Sequence, residues 1–134
     1  MSSTTVEGRA AELLNDKNFC VVSTLRADGS VHAVPVWVDL EDGLPTLNTA
    51  EGRAWPRNLE RDPRVTLTVQ NLENPYEYVM IRGRVAQRTQ EGADAHIDAL
   101  AGKYLGKDEY PFRQPGEERL IIRVEPEYVN TYGS

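Results

Sequence analysis

Alternating apolar and polar positions dominate residues 19–50 and predict three consecutive antiparallel strands. Two short polar segments separate the apolar runs, and each contains an Asp-Gly pair, Asp28-Gly29 and Asp42-Gly43. Asp and Gly tolerate the positive φ angles that tight hairpin turns require. The pattern therefore predicts two hairpins in this part of the chain.

The middle strand of the three, over residues 31–40, is apolar on both faces. Val34 and Val36 share one face, and Pro35 and Trp37 share the other. A strand with two apolar faces is covered on both sides, by a helix, a cofactor or a second subunit. Pro35 has no N–H to donate to a neighbouring strand, so it marks an edge or a bulge.

The rest of the chain adds three more strands and three helices. Strand patterns cover residues 64–70, 77–86 and 119–133, and helical patterns cover residues 6–14, a short segment after Pro56, and residues 89–106. Long helices do not alternate with the strands, and no GxGxxG motif follows a strand, which argues against a dinucleotide-binding α/β fold. We therefore predict a mainly β fold, a six-stranded antiparallel barrel with peripheral helices, in a single domain over residues 1–134.

Composition narrows the class of protein. The 134 residues carry a net charge of -6, which is too acidic for the broad basic surface that nucleic-acid binding needs. No apolar run approaches the ~20 residues of a membrane span. The lone cysteine, Cys20, lies in an apolar run, which predicts a buried, inert thiol and a reducing cytoplasm. Because Cys20, His32 and His96 show no metal-ligand spacing, no metal site is expected.

The segment over residues 51–64 carries four arginines: Arg53, Arg57, Arg61 and Arg64. Pro56 suits the first position of a helix, and Trp55 before it is disfavoured in helical backbone. Arginines beside the free N–H groups of a helix start bind phosphates or carboxylates. The alternative is a solvated surface helix whose arginines pair with neighbouring carboxylates. Those carboxylates are Glu51, Glu60 and Asp62.

Strand-end polar residues and aromatic side chains extend this candidate binding surface. Asn48 and Thr49 end the third strand and lead into the loop that carries Arg53, so these groups can converge on one ligand. The aromatic candidates are Trp37, Trp55, Tyr76 and Tyr78. Planar side chains favour flat ligands, although the same residues also suit a core or a subunit interface. The carboxylate pairs Glu41-Asp42 and Glu117-Glu118 are interpreted as solvated turn charges.

Three segments together resemble the split-barrel flavin and deazaflavin oxidoreductases related to pyridoxamine 5'-phosphate oxidase. They are STLRADGSVHAVPVWVDL, LNTAEGRAWPRNLERDPRVTLTV and NPYEYVMIRGRV, and the most specific part is GRAxxRNLxRDPRV. Within that superfamily, the chain is similar to the actinobacterial branch that uses the deazaflavin coenzyme F420. The resemblance implies an FMN-binding split-barrel fold and a homodimer that holds each cofactor in a groove between subunits.

The resemblance also implies an activity. Reduced F420 would transfer a hydride to a conjugated or electron-poor small-molecule acceptor. One alternative keeps the fold and uses FMN, as a flavin reductase or oxidase. Another is a non-catalytic carrier of F420, FMN or haem.

The site residues implied by the resemblance fall into three groups. Asn48, Thr49, Arg53, Arg57 and Asn58 match the cofactor phosphate and linker site. Val34, Pro35, Val36 and Trp37 match the strand that lies against the tricyclic ring. Tyr76 and Tyr78 match aromatics presented by the other subunit, where they would shape the acceptor pocket. Many F420-binding relatives have a lysine at the position of Trp55, and that lysine contacts the cofactor phosphate. Here Arg53 and Arg57 would still hold the anion, or Trp55 would stack on a ring or remodel the pocket.

Overall fold

The computed structural model describes residues 3–133, which form three helices and seven strands. The helices are α1 (Gly8–Asn15), α2 (Ala54–Arg61) and α3 (Ala93–Leu105). The strands are β1 (Cys20–Leu25), β2 (Val31–Val36), β3 (Val38–Glu41), β4 (Leu44–Ala50), β5 (Arg64–Gln70), β6 (Tyr78–Thr89) and β7 (Arg119–Tyr132). All seven strands join one antiparallel sheet in the order β2-β1-β5-β6-β7-β4-β3. The predicted mainly β class is confirmed.

The predicted middle strand over residues 31–40 is broken at Trp37, which raises the strand count from six to seven. Its two halves, β2 and β3, lie at opposite ends of the sheet order. Pro35 lies within β2, an edge strand, where it pairs with Val21 and its missing N–H is tolerated. After the break, the N–H of Val38 donates to the Tyr104 hydroxyl at 3.2 Å. Because the chain crosses from one sheet edge to the other at this break, the sheet curls into a half-barrel.

The described residues cover only one face of β2. Val34 and Val36 are partly buried and pack against the core, whereas Val31, Ala33 and Pro35 are exposed. The predicted second cover is therefore not supplied by residues 3–133. It would have to come from a ligand or from another molecule.

Both predicted hairpins are present. Asp42 and Gly43 have φ angles of 52° and 79° and connect β3 to β4, where Glu41 pairs with Leu44. Two successive positive φ angles are the signature of a type I′ turn. The β1–β2 connection is longer and closes with a hydrogen bond from the N–H of Arg26 to the carbonyl of Ser30 at 2.8 Å. Register is thus set locally at each turn.

The core lies between the concave sheet and helices α1 and α2. Leu13 and Leu14 of α1 are fully buried, and each contributes about 1.5–3 kcal/mol through the apolar surface it removes from water. Sheet residues that meet them include Val22, Leu47, Leu67, Ile81, Ile122 and Val124. This core fixes the half-barrel on which the strand break at Trp37 and the start of α2 are placed.

Gly83 marks the predicted irregularity in β6. The register against β7 shifts between Arg82 and Gly83. A Cβ at position 83 would collide with the backbone carbonyl oxygen of Glu125. The glycine is therefore required by a close backbone approach, as its place in the pattern predicted.

Among residues 3–133, no helix is long and apolar enough to cross a membrane.

Candidate functional site

A cleft of about 370 Å³ lies where the strand break, the start of α2 and the loop after α3 meet. Its volume is within the ~300–1,000 Å³ typical of small-molecule sites. It is lined by Phe19, Pro35, Val36, Trp37, Asn48, Arg53, Ile97, Tyr110, Phe112 and Arg119. Asn48, Ile97 and Arg119 are buried and form the floor, whereas Phe19, Pro35, Arg53 and Phe112 are exposed and form the rim. The half-buried Val36, Trp37 and Tyr110 form the walls.

Stacked aromatic rings hold the Trp37 wall in place. Trp37 and Tyr104 stack with their centroids 5.3 Å apart and an interplanar angle of 5°, and Phe19 stacks on Tyr104 at 5.7 Å. Tyr110 meets Trp37 edge-on at 6.0 Å. Such pairs contribute about 0.5–1.5 kcal/mol beyond their area burial. The wall is therefore a rigid, planar, apolar surface.

Polar contacts fix the same corner from α3. The Tyr104 hydroxyl donates to the carbonyl of Asn18 at 2.6 Å, and burial raises the pKa of Tyr104 to about 12. The Lys103 ammonium donates to the carbonyls of Leu14 and Val38 at 2.7 and 2.6 Å. Its partial burial lowers the pKa of Lys103. The bond to Val38 satisfies a carbonyl beside the strand break, and the bonds to Leu14 and Asn18 tie α3 to the end of α1 and the segment that follows it.

Arg119 supplies the charged group of the floor. It is 4% exposed; its Nε donates to Asn48 Oδ1 at 2.9 Å and its Nη1 donates to Glu117 Oε1 at 2.6 Å. Its guanidinium carbon lies 5.1 Å from the centroid of the Tyr110 ring. Within residues 3–133, Nη2 makes no hydrogen bond. Both N–H groups of Nη2 are therefore available as donors on a residue that lines the cleft.

Asn48 links this arginine to a buried histidine. Its Nδ2 donates to the carbonyl of Ala93 at 2.9 Å and to His96 Nδ1 at 3.0 Å, while its Oδ1 accepts from Arg119. These partners fix the orientation of the amide. His96 Nδ1 is then an acceptor, so the proton lies on Nε2 and is donated to Asp39 at 3.1 Å.

Three potential metal ligands, Asp39, Glu41 and His96, come together beside this chain of bonds. Their spacing along the sequence did not indicate the cluster, because it joins β3 to α3 through the fold. Since His96 Nε2 carries a proton, it offers no lone pair to a metal ion. Glu41 is also paired, with Arg123 at 3.0 Å. The arrangement fits a hydrogen-bonded ion network better than a metal centre.

The start of α2 places Arg53 at the rim and Trp55 in the core. The helix begins at Ala54, with Arg53 as its N-cap, so the prediction that it begins at Pro56 was wrong. Pro56 fits as the third helical residue because all N–H groups of a first turn lack partners within the helix. Trp55 is helical and 3% exposed, and it belongs to the hydrophobic core. It does not line the cleft.

Among residues 3–133, the carboxylates near the arginine segment pair with only one of its four arginines. Arg64 bonds to Asp62 at 2.8 Å and lowers the pKa of that carboxyl to about 2. Glu51 and Glu60 pair instead with Arg88, at 2.7 and 3.1 Å. Within residues 3–133, Arg53 and Arg57 have no ion pair. The surface-helix interpretation therefore holds for Arg64. Arg61 has no ion pair among residues 3–133 either, but it donates to the carbonyl of Leu25 and to Asn58 Oδ1, which leaves Arg53 and Arg57 available to an anion.

Arg57 lies in a groove separate from the cleft. This groove, of about 580 Å³, is lined by Arg26, Ala54, Arg57, Asn58, Glu60 and Arg61. Asn58 is buried and donates to Thr24 Oγ1 at 3.1 Å, a bond between α2 and β1. The two arginines predicted to share one anion, Arg53 and Arg57, therefore line different depressions on either side of the start of α2.

Half of the predicted cofactor residues meet in the cleft: Pro35, Val36, Trp37, Asn48 and Arg53. The others, Val34, Thr49, Trp55, Arg57 and Asn58, do not line it. Thr49 is fully buried, and Val34 packs against the core. Tyr76 is 84% exposed, and Tyr78 stacks on Tyr132 at 4.7 Å. Neither tyrosine reaches the cleft of its own chain.

Several lining residues were missed in the sequence: Phe19, Ile97, Tyr110, Phe112 and Arg119. The Pro- and aromatic-rich loop before β7 was the available signal for Tyr110 and Phe112.

Glu117 and Arg119, separated by one residue, form an ion pair, and their side chains are only 8% and 2% exposed. The interpretation of Glu117 as a solvated turn charge was wrong, because the fold buries the start of β7. Cys20 is fully buried, and burial raises the pKa of its thiol to about 12, so it is an inert core residue.

The half-barrel, with an aromatic and arginine-lined cleft at its strand break, defines a split-barrel protein, and the cleft is its candidate small-molecule site. The sequence profile of the pyridoxamine 5'-phosphate oxidase family matches residues 6–133, and the chain belongs to that family. The family resemblance drawn from the sequence is thereby confirmed.

Solved structures extend the comparison. One named F420 Reductase is 25% identical, with a TM-score of 0.78 and coverage of 89% of this chain and 94% of that chain. A conserved hypothetical protein from Mycobacterium tuberculosis is 21% identical, with a TM-score of 0.74 and coverage of 97% and 87%. General Stress Protein 26 from Bacillus anthracis is 16% identical, with a TM-score of 0.64 and coverage of 90% and 88%. The last two similarities show the fold.

Among curated proteins, none matches the sequence significantly. The family and the F420 reductase similarity together support an oxidoreductase of the split-barrel family, with a flavin or deazaflavin type of cofactor.

Proposed function

We propose that this protein is an F420-dependent oxidoreductase that reduces a conjugated or electron-poor small-molecule acceptor. When bound, reduced F420 supplies the hydride. The observation that carries the proposal is the cleft, in which planar aromatic walls combine with one arginine at the floor and one at the rim. A 25% identical structure named F420 Reductase supports the choice of cofactor.

The donor set of the cleft fits a flat, oxygen-rich ring with an anionic tail. Pro35, Val36 and Trp37 offer an apolar surface for the ring, and Arg119 Nη2 offers a donor to a ring oxygen. Arg53, exposed and without an ion pair among the described residues, offers charge to a phosphate or carboxylate at the rim. The protein thus contributes orientation, dry walls and charge complementarity.

A homodimer completes this proposal. Tyr76 and Tyr78 do not reach the cleft of their own chain, so they would shape an acceptor pocket only from a second subunit. The uncovered face of β2, with Val31 59% exposed, is one surface that a second copy would cover. We place the protein in the cytoplasm, where a buried free thiol such as Cys20 persists.

FMN is the second candidate cofactor, and the position of Trp55 is a reason to retain FMN as a candidate. Relatives that bind F420 often have a lysine at this position, whereas here a core indole leaves the cleft without that ammonium. Floor and rim donors remain, and they suit the phosphate and ring oxygens of FMN equally well. Of the predicted phosphate residues, Arg53 alone both lines the cleft and carries a positive charge.

Titration of the purified protein with F420 and with FMN, followed by fluorescence and polarisation, tests the proposal. Wild-type protein should bind F420 with a dissociation constant below about 0.1 mM. Arg53→Ala should weaken binding about tenfold or more, because it removes a charge-assisted hydrogen bond. Arg64→Ala is the matched control, since Arg64 is paired with Asp62 and lies outside the cleft.

Three results would count against the proposal. Binding of neither cofactor below about 0.1 mM would remove the cofactor assignment. Equal losses of cofactor affinity in Arg53→Ala and Arg64→Ala would show that the effect of Arg53 comes from net charge and not from a contact in the cleft. Tight F420 binding without oxidation of reduced F420 by any of a panel of quinone, enone and nitroaromatic acceptors would favour a carrier.

A further inference from the structure

Four side chains connect the surface of the half-barrel to the floor of the cleft. Asp39 on β3 accepts from His96 on α3, His96 accepts from Asn48 on β4, and Asn48 accepts from Arg119 on β7. His96, Asn48 and Arg119 are 7%, 7% and 4% exposed. Polar groups this deeply buried are costly unless every one of them is satisfied. The chain of bonds therefore links four elements in one defined arrangement.

The bonds run in one direction only. Arg119 is always a donor, so Asn48 must present its oxygen to Arg119 and its nitrogen to His96 and Ala93. His96 must then accept at Nδ1 and donate from Nε2. The opposite tautomer would place Nδ1–H against the Asn48 amide N–H and leave Asp39 without a donor. A single tautomer of His96 is thus compatible with the arrangement.

We propose that His96 is a positioning residue of the cleft. Through Asn48 it fixes the Arg119 guanidinium so that Nη2 is presented to a carbonyl or carboxylate oxygen of the bound ligand. The proposal rests on the function proposed above in that the ligand carries such an oxygen. Glu117 anchors Nη1 on the other side, so two fixed bonds define the plane of the guanidinium.

Loss of the His96 acceptor would loosen this plane. Asn48 would keep its bond to Ala93 but would lose the partner that holds its second N–H, and the amide could then rotate. Arg119 Nε would lose a reliably placed acceptor, whereas its pair with Glu117 would remain. The expected consequence is a misdirected donor, rather than an unfolded protein.

Nitrogen-15 NMR of the ligand-free protein tests the positioning directly. Long-range ¹H–¹⁵N spectra should show His96 as the Nε2–H tautomer at pH 7.5, with Nδ1 unprotonated. The Arg119 Nε–H should give a resolved, slowly exchanging signal that broadens or disappears in His96→Leu. The chain's other histidine provides the control, because His32→Asn should leave the Arg119 signal unchanged.

A double-mutant cycle tests the link to ligand binding. His96→Leu should weaken cofactor binding roughly tenfold, within the range typical of coupled polar networks. On an Arg119→Gln background, the same change should cost less than about twofold, since His96 acts only through Arg119. His96→Asn should restore most of the affinity, because its side-chain oxygen can accept from Asn48 near the position of Nδ1.

Specific results would overturn the inference. An Nδ1–H tautomer of His96, or an Arg119 signal that persists in His96→Leu, would show that His96 does not position Arg119. Additive losses in the double mutant would assign His96 a general structural role. If wild-type protein binds neither F420 nor FMN, the proposed function fails, and the NMR measurements still decide whether His96 fixes Arg119.

Discussion

At the residue scale, Arg53 and Arg119 differ in burial and in ion pairing. Arg119 is buried and forms an ion pair with Glu117, so it acts mainly as a directed hydrogen-bond donor. Arg53 is exposed at the N-cap of α2, and no carboxylate of residues 3–133 pairs with its positive charge at the rim. The cleft thus separates recognition of an oxygen at its floor from attraction of an anion at its mouth.

Trp55 lies in the core and outside the cleft, so its substitution should affect stability more than cofactor binding. Trp55→Phe should leave cofactor affinity within about twofold, because the indole lies in the core. Trp55→Ala should lower the free energy of unfolding by about 3–5 kcal/mol through the cavity it creates. Urea unfolding and cofactor titration of both variants measure the two effects. A large loss of cofactor affinity in Trp55→Phe, without loss of stability, would show that Trp55 belongs to the binding site.

At the element scale, α1 is attached to the connection between β5 and β6 by an ion pair. Arg9 Nε donates to Glu77 Oε2 at 2.8 Å, and Asn71 donates to Glu77 Oε1 at 2.8 Å. These bonds, that from Arg9 above all, lower the pKa of Glu77 from 4.5 to about 2. A carboxylate whose pKa is lower in the folded state stabilises the fold at pH values above its unfolded pKa.

The Glu77 contribution should therefore be complete near neutral pH and lost as the pH falls from about 4.5 towards 2. Urea unfolding of wild type and Glu77→Gln at pH 7, 5 and 3 isolates it. The stability difference between the two proteins should be largest at pH 7 and shrink at pH 3. Glu73→Gln, an exposed carboxylate in the same connection, is the control. A difference that stays constant with pH would contradict the ion-pair account.

Elements governed by local rules were predictable from the sequence. The Asp42-Gly43 turn, the β5 alternation and the bulge at Gly83 each follow from backbone or side-chain constraints within a few residues. The break at Trp37 was not predictable in the same way, because Tyr104 and Lys103, more than 60 positions away, supply its hydrogen bonds. The Arg119–Asn48–His96 bonds likewise depend on three elements that only the folded sheet brings together.

At the scale of the whole molecule, the half-barrel leaves one face of β2 uncovered and places Tyr76 outside the cleft. A second copy of the chain would provide cover and could bring Tyr76 to a neighbouring cleft. Light scattering coupled to size exclusion should therefore give about twice the 15.0 kDa of one chain. A stable monomer of 15.0 kDa would contradict a cofactor groove shared between subunits.

A crystal structure of the protein with F420 soaked into the crystals would show where the cofactor binds. We expect the ring to lie against Pro35, Val36 and Trp37, with Arg119 Nη2 within hydrogen-bond distance of a ring oxygen. Arg53 should contact the phosphate. A cofactor bound instead in the groove of Arg26, Arg57 and Arg61, with the cleft empty, would contradict the proposed binding site.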